Sequence, residues 1–182
     1  MKLLIASDLH GSAFYMTMLL QAIDREQPDK VLLLGDLLYH GPRNDLPRDY
    51  APKQVIEMLN GIKEKLLCVR GNCEAEVDQM VLEFPVLAEY GVLFADGMTM
   101  YLIHGHQNMS LPVQKGDLIL SGHTHVPVLE ERDGVFYGNP GSLSIPKNES
   151  VRGYLVYENG MMRHKELDTG REIKSLHILK TM

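Results

Sequence analysis

The sequence predicts a mixed α/β sandwich with two β-sheets in its core, and three observations lead there. Up to residue 71 the chain alternates short apolar runs with helical patterns, as parallel strands joined by helices do. From about residue 84 it changes to short strands separated by turn dipeptides, the usual mark of hairpins. Throughout, the apolar runs stop at Gly, Asp, Asn or His, so polar side chains collect at strand ends.

Taken in order, "KLLIAS" (2–7) reads as a strand, and residues 13–25 carry apolar side chains at helical spacing. "KVLLLG" (30–35) is the second strand, and a long polar loop follows. "APKQVIEMLNGI" (51–62) reads as a helix with Pro52 near its first turn, where a missing N–H costs little. "KLLCVRG" (65–71) is the third strand. Strands this apolar on both faces imply a parallel sheet covered by helices. Beyond them, "YLIHGH" and "LILSGHTH" are strands that run into histidines. Asp96-Gly97, Asp133-Gly134 and Asn159-Gly160 each lie between apolar runs and predict hairpin turns.

The bulk composition narrows the function classes. At 182 residues and 45% apolar content the chain suits one domain with a sizeable core. No apolar run approaches the ~18 residues that span a bilayer. Asp8 interrupts the opening apolar run before a signal-peptide core can form, so a cytoplasmic protein is expected. Cys68 and Cys73 are too few for a disulfide framework or a zinc ribbon and are read as reduced thiols. A net charge of −6 argues against non-specific binding to long nucleic acid. It leaves room for a phosphate-containing substrate, because bound metal reverses the local sign.

In open α/β sheets ligands bind beyond the carboxyl ends of the strands. Five segments, "SDLHG", "GDLLYHG", "RGNCE", "YLIHGH" and "LILSGHTH", deliver Asp8, His10, Asp36, Asn72, His104, His106, His123 and His125 to what could be one rim. Residues i and i+2 of an extended chain point the same way. On that basis Asp8 with His10, His104 with His106, and His123 with His125 are expected to converge in pairs. One such pair alone is weak; three together point to metal. Carboxylate, amide and imidazole ligands suit a divalent ion such as Mn, Fe, Co, Ni or Zn, and they are too many for one tetrahedral ion. A two-metal site is the economical reading.

The order Asp-x-His, Gly-Asp, Gly-Asn, His, Gly-His-x-His, from Asp8 to His125, resembles the calcineurin-like binuclear metallophosphoesterase superfamily. "GDLLYHGPRNDLP", "YAPKQV", "RGNCE", "EVDQM", "GHTHVPV" and "NPGSLSIPK" extend the similarity to about Lys147, toward small single-domain bacterial phosphodiesterases of the YfcE type. The resemblance implies a four-layer αββα sandwich with two mixed β-sheets, as a single domain over residues 1–182. It implies that Asp8, His10 and His125 hold one metal, that Asn72, His104 and His123 hold the other, and that Asp36 bridges them. Mn2+ is the leading choice of ion, with Ni, Co, Fe or Zn as alternatives. Two divalent ions, two carboxylates and a bridging hydroxide leave about +1 at the site, enough to attract a phosphate.

The implied activity is hydrolysis of a small phosphodiester by a hydroxide bridging two metals, attacking phosphorus in line. A phosphomonoesterase or nuclease on the same site, or a non-catalytic protein-interaction scaffold of the same fold, are the alternatives. The filled ligand set favours an enzyme. Asn72, Cys73 and His106 are the candidate catalytic residues. Many relatives carry His after the motif Asn, where it protonates the leaving group; here Cys73 stands there, and a thiol is a weak donor. Glu74 loses its expected role of orienting that His. His106, or a water on the metal, is left to supply the proton.

His40, Arg43 and Asn44, on the long loop after the second strand, are candidate substrate-binding residues, since Arg suits phosphate; loop packing or a subunit contact is the other reading. A homo-oligomer is possible. Blander roles are expected elsewhere: Cys68 fills core, Arg70 caps a strand end, Met18, Met58 and Met80 pack adaptably in the core, and His164 and His177 lie on the surface.

Overall fold

The computed structural model describes residues 1–178. In chain order its elements are β1 (Lys2–Ala6), α1 (Ala13–Glu26), β2 (Lys30–Leu33), α2 (Pro52–Asn60), β3 (Leu66–Cys68), α3 (Glu76–Val81), β4 (Tyr90–Ala95), β5 (Met98–Ile103), β6 (Leu118–Leu120), β7 (Val128–Arg132), β8 (Val135–Asn139), β9 (Gly153–Glu158), β10 (Met161–Glu166) and β11 (Glu172–His177). The strands form a six-stranded sheet, β11-β10-β9-β1-β2-β3, and a five-stranded sheet, β4-β5-β6-β8-β7. Both are mixed: β1 runs parallel to β2 but antiparallel to β9, and β6 runs parallel to β5 and β8 while β4 opposes β5.

The period-two geometry of a strand explains why β1 and β2 are apolar throughout. Leu4, Ala6, Val31 and Leu33 face α1 and α2, where Met16, Leu19, Val55 and Leu59 complete one core cluster. Leu3, Ile5, Leu32 and Leu34 face the other sheet and meet Met100, Leu102, Leu118, Leu120 and Phe136 in a second. Each buried aliphatic side chain contributes roughly 1.5–3 kcal/mol. Leu32→Ala, in the layer between the sheets, would cost ~2–5 kcal/mol through the cavity it leaves.

Local chemistry fixes the element ends. Ser12 caps α1 by accepting the Tyr15 N–H at 3.2 Å, and Gln27 ends it in left-handed backbone at φ 48°. Pro52 occupies the first turn of α2. Asp96-Gly97, Asp133-Gly134 and Asn159-Gly160 all have positive φ at both residues and close the β4–β5, β7–β8 and β9–β10 hairpins, as their dipeptides predict. The six-stranded sheet carries helices on its outer face. On the outer face of the five-stranded sheet, Ile103, Ile119 and Tyr137 line an open groove together with Met109, Leu111 and Val113 of residues 105–117, a segment without helix.

The structure corrects two smaller expectations. His164 is not on the surface but 4% exposed, because alternate residues of β10 face the interior and Gly153 beside it has no side chain; a Cβ there would overlap the imidazole. His177 is exposed as expected. Met18 and Met58 pack against the helix-side core, but Met80 is 83% exposed. It lies on α3, a six-residue helix without an apolar period to announce it, which is anchored through polar bonds: Asp78 accepts the Ala75 N–H at 2.9 Å, and Gln79 accepts from Val86 at 3.0 Å.

Candidate metal centre and active-site cleft

The rim of the sandwich at the carboxyl ends of β1, β2, β3, β5 and β6 gathers the residues singled out in the sequence. Close backbone approach explains the glycines among them. A Cβ on Gly71 would overlap Asp36 Oδ1, and one on Gly122 would overlap Ser7 Oγ. The chain then leaves each strand abruptly: Asp8, His10, Asp36, His123 and His125 all have left-handed backbone, with φ of 58, 52, 57, 66 and 59°. Left-handed non-glycine residues cost about 1–3 kcal/mol each and cluster at functional sites. The extended i, i+2 expectation therefore does not hold for every pair: Asp8 Oδ1 and His10 Nε2 meet, 3.7 Å apart. His123 and His125 do not converge; they part to opposite sides of the centre.

On one side, His125 Nε2 lies 3.3 Å from Asp8 Oδ1 and 3.2 Å from His10 Nε2. Nδ1 of His10 donates to the Tyr39 carbonyl at 2.8 Å and Nδ1 of His125 to the Ile145 carbonyl at 2.6 Å. In the neutral rings both Nε2 atoms therefore present lone pairs to each other. Burial holds His10 below the ordinary imidazole pKa, so its ring is neutral. Asp8 Oδ1 is buried with no hydrogen-bond partner. Two facing lone pairs and an unpartnered carboxylate oxygen are repulsive without a cation among them, and the donor set fits a divalent ion.

On the other side, His104 Nδ1 donates to the Leu34 carbonyl at 2.6 Å, and Nε2 points at Asn72 Oδ1, 3.1 Å away, and at Asp36 Oδ2, 3.5 Å away. Burial would lower the His104 pKa, but Asp36 and Asp8 raise it to about 9; burial would raise that of Asp36, but His104 brings it to about 2. Without metal, a proton on His104 meets the same demand for positive charge. The His123 ring lies 5.1 Å from that of His104, centre to centre. Asp36 Oδ2 is also 3.8 Å from His10 Nε2, so one oxygen faces histidines of both groups.

The surrounding shell contains residues the sequence reading missed or gave other work. Buried Glu74 accepts backbone N–H groups of Asp36 at 2.9 Å, Leu37 at 2.6 Å and Gly71 at 2.5 Å, tying the loop after β2 to the loop after β3. Burial raises its pKa to about 7. The "NPGS" segment also belongs here: Ser142 and Ser144 donate to the Asp8 carbonyl at 2.7 and 3.1 Å, and Asn139 to the Gly122 carbonyl at 2.9 Å. Cys73 N–H donates to Asp36 Oδ1 at 2.9 Å, and its sulfur accepts the Asn72 amide at 3.3 Å. Burial and the nearby Asp36 push its thiol far above the usual range, so it stays protonated.

A cleft opens over these groups, walled by the 41–44 turn on one loop and by His123, Thr124, His125 and Lys147 on others. Arg43 and Asn44 line it. His40 does not; its ring packs between Tyr39 and Tyr50, and its carbonyl accepts the Asn44 amide at 2.8 Å. His106 stands beside His104 and His123, with ring centres 5.4 and 6.1 Å away, rather than on the cleft wall. Cys68 packs against the core as expected, and Arg70 donates to the Glu74 carbonyl at 3.2 Å.

Comparison with known proteins agrees with this geometry. Residues 1–160 match the family described as the calcineurin-like phosphoesterase superfamily domain. Phosphodiesterase YfcE of Escherichia coli is 41% identical over 166 residues, covering 89% of this chain and 90% of that protein. Phosphodiesterase MJ0936 of Methanocaldococcus jannaschii is 22% identical over 151 residues, covering 78% and 83%. The solved structure of the E. coli phosphoesterase YfcE superimposes with a TM-score of 0.94 at 40% identity, over 98% of this chain and 100% of that one. Zinc-complexed Vps29 of Entamoeba histolytica superimposes at 0.65 with 19% identity over 98% and 100%, a likeness of fold alone.

Proposed function

The chain belongs to the calcineurin-like phosphoesterase superfamily, and from that premise we propose how its rim performs the work of the family. The protein is a metal-dependent phosphodiesterase, a hydrolase acting on a small phosphodiester. We assign Asp8, His10 and His125 to one metal, Asn72, His104 and His123 to the other, and Asp36 between them. The observation that carries this assignment is the pair of facing Nε2 lone pairs of His10 and His125 beside the unpartnered Asp8 Oδ1. Mn2+ is the proposed ion.

When bound, the two ions acidify the attacking water toward neutral pH and offset charge on the phosphoryl oxygens. The chain's own residues arrange the rest. Asp36 stays ionised at working pH, since the positive charge facing it and the Cys73 N–H both favour the carboxylate. Cys73 is a positioning residue, its N–H holding Asp36 and its sulfur turning the Asn72 amide so that Oδ1 faces His104. Arg43 and Asn44 receive the substrate, with His40 bracing Asn44 through its carbonyl. His106 is the proposed proton relay beside His104 and His123.

We also read residues 1–182 as a single domain, supported by β9, β10 and β11 returning to the sheet begun by β1. No described helix is long and apolar enough to cross a membrane, and a cytoplasmic location is our proposal. Self-association is proposed through β4, the edge of the five-stranded sheet, whose Tyr90, Val92 and Phe94 are exposed.

The test is to strip the protein of metal, restore Mn2+, Ni2+, Co2+, Zn2+ and Mg2+ separately, and compare a nitrophenyl phosphodiester with the monoester. Asp36→Asn and His123→Ala should each lose at least about 100-fold, beyond the upper end for outer-sphere partners. Activity that survives in both variants would refute the site.

A further inference from the structure

Lys147 stands on a strained turn fastened to the candidate metal centre. The Ser150 N–H donates to the Lys147 carbonyl at 3.0 Å, and both residues between, Asn148 at φ 53° and Glu149 at φ 56°, have left-handed backbone. For a residue such as Glu that conformation costs ~1–2 kcal/mol. The turn is held by the backbone of a candidate ligand: the Lys147 N–H donates to the His125 carbonyl at 3.3 Å, while the Ser150 hydroxyl donates to the Lys147 carbonyl at 2.6 Å and lies 3.3 Å from that of His125. Lys147 itself lines the cleft. Arg43 lines the same cleft from the Gly41–Asn44 turn, which Asn44 closes by donating to the Gly41 carbonyl at 3.4 Å and the His40 carbonyl at 2.8 Å.

Neither cation is ion-paired among the described residues. Among the described residues of the cleft wall Asp36 is the one acidic side chain, and it is already committed to the centre. The centre with two divalent ions carries about +1, which matches the single charge of a phosphodiester group. Arg43 and Lys147 add two positive charges beyond that match.

We propose that Arg43 and Lys147 form a second anion-binding position in the cleft, and that the substrates are phosphodiesters whose second ester arm carries negative charge of its own, as a phosphate or a carboxylate. This rests on the phosphodiesterase reading above and adds the substrate class. The arm runs from the scissile phosphorus at the rim toward the two turns, where screened attraction strengthens binding and salt weakens it.

The experiment compares three 4-nitrophenyl phosphodiesters on the manganese-loaded protein at low ionic strength. One has a neutral second arm, one an arm ending in carboxylate, one an arm ending in phosphomonoester. The kcat/KM for the better anionic arm should exceed that for the neutral arm by ~10-fold or more, expressed in KM, and the gap should close as salt rises. Which anionic arm leads identifies the terminal group. Lys147→Gln and Arg43→Gln should each cut the preference several-fold, and Lys147→Arg should keep it. Equal kcat/KM for all three diesters in the unaltered protein overturns the proposal. So does a uniform loss on all three in the Gln variants, which would assign the cations to the scissile phosphate. Failure to hydrolyse any of the diesters refutes the phosphodiesterase reading itself, a result distinct from hydrolysis without preference.

Discussion

Nε2 of His10 and Nε2 of His125 lie 3.2 Å apart in the interior of the rim, each turned there by a backbone carbonyl holding the opposite ring nitrogen. Folding has assembled a repulsion that a cation relieves, so metal should stabilise the fold. At a free concentration of 100 times its Kd, a ligand that binds only the folded state adds ~2.7 kcal/mol. For a chain of this size that raises Tm by roughly 5–10 °C. Differential scanning calorimetry with Mn2+ and with EDTA measures the shift, and His125→Ala should abolish most of it.

Glu74 should matter more for stability than for chemistry. It accepts three buried backbone N–H groups and joins two loops of the rim. Glu74→Ala orphans those donors and should cost about 3 kcal/mol or more. Glu74→Gln retains one accepting oxygen but turns an amide toward other donors, and should fall between. Urea titrations give the stability, and metal stoichiometry should drop in the Ala variant because Asp36 and Asn72 lose their support. An unchanged urea midpoint in Glu74→Ala would refute the clamp.

Two residues away from the rim should each contribute a loss of stability in acid. Burial lowers the His164 pKa, so the unfolded chain takes up this proton first and stability is lost as pH falls below the unfolded value near 6.5. Buried Glu26 would be raised by burial, but Lys165, Tyr154 and Lys2 together hold it below its ordinary value. Its contribution is full above the unfolded value near 4.5 and is lost as pH falls through the lower folded value. Each group gives a slope of up to about 1.4 kcal/mol per pH unit in its window. Urea midpoints against pH should depend less on pH below 4.5 in Glu26→Gln and just below 6.5 in His164→Gln than in the unaltered protein.

The edge strand β4 should mediate self-association. Its six residues, Tyr90–Ala95, include no charge and no proline, and Tyr90, Val92 and Phe94 are 53, 43 and 76% exposed. Edges left so open favour pairing with another strand. Sedimentation velocity should show a dimer or larger species in the unaltered protein and a monomer in Val92→Lys. A monomeric unaltered protein at high micromolar concentration would sink this expectation.

Local signals were the ones legible in the sequence. The Asp-Gly and Asn-Gly dipeptides dictate their own backbone, and the apolar runs of β1, β2 and β5 declare their burial whatever surrounds them. The candidate ligands were visible as residue types at strand ends, but not their arrangement. The left-handed backbone of Asp8, His10, Asp36, His123 and His125 comes from tertiary contacts that no single residue encodes, and it turned His123 and His125 apart. The clamp by Glu74, the support of Asp8 by Ser142 and Ser144, and the turn presenting Lys147 all join segments distant in sequence. His164 was misplaced because its burial depends on the bare backbone of Gly153, a neighbour only in the folded sheet. The short helix α3 had too few residues to show a period.

The three two-residue hairpins, at Asp96-Gly97, Asp133-Gly134 and Asn159-Gly160, all lie at the end of the sandwich opposite the cleft, as the strand directions require. One end of the molecule is thus stitched by contacts between sequence neighbours, which close early and cheaply in a folding chain. The other is made of longer connections whose geometry is settled only when both sheets are in place. Loop changes at the cleft end can therefore alter what the protein recognises while the turns that organise the strands stay untouched. The fold keeps its assembly instructions and its chemistry at separate poles.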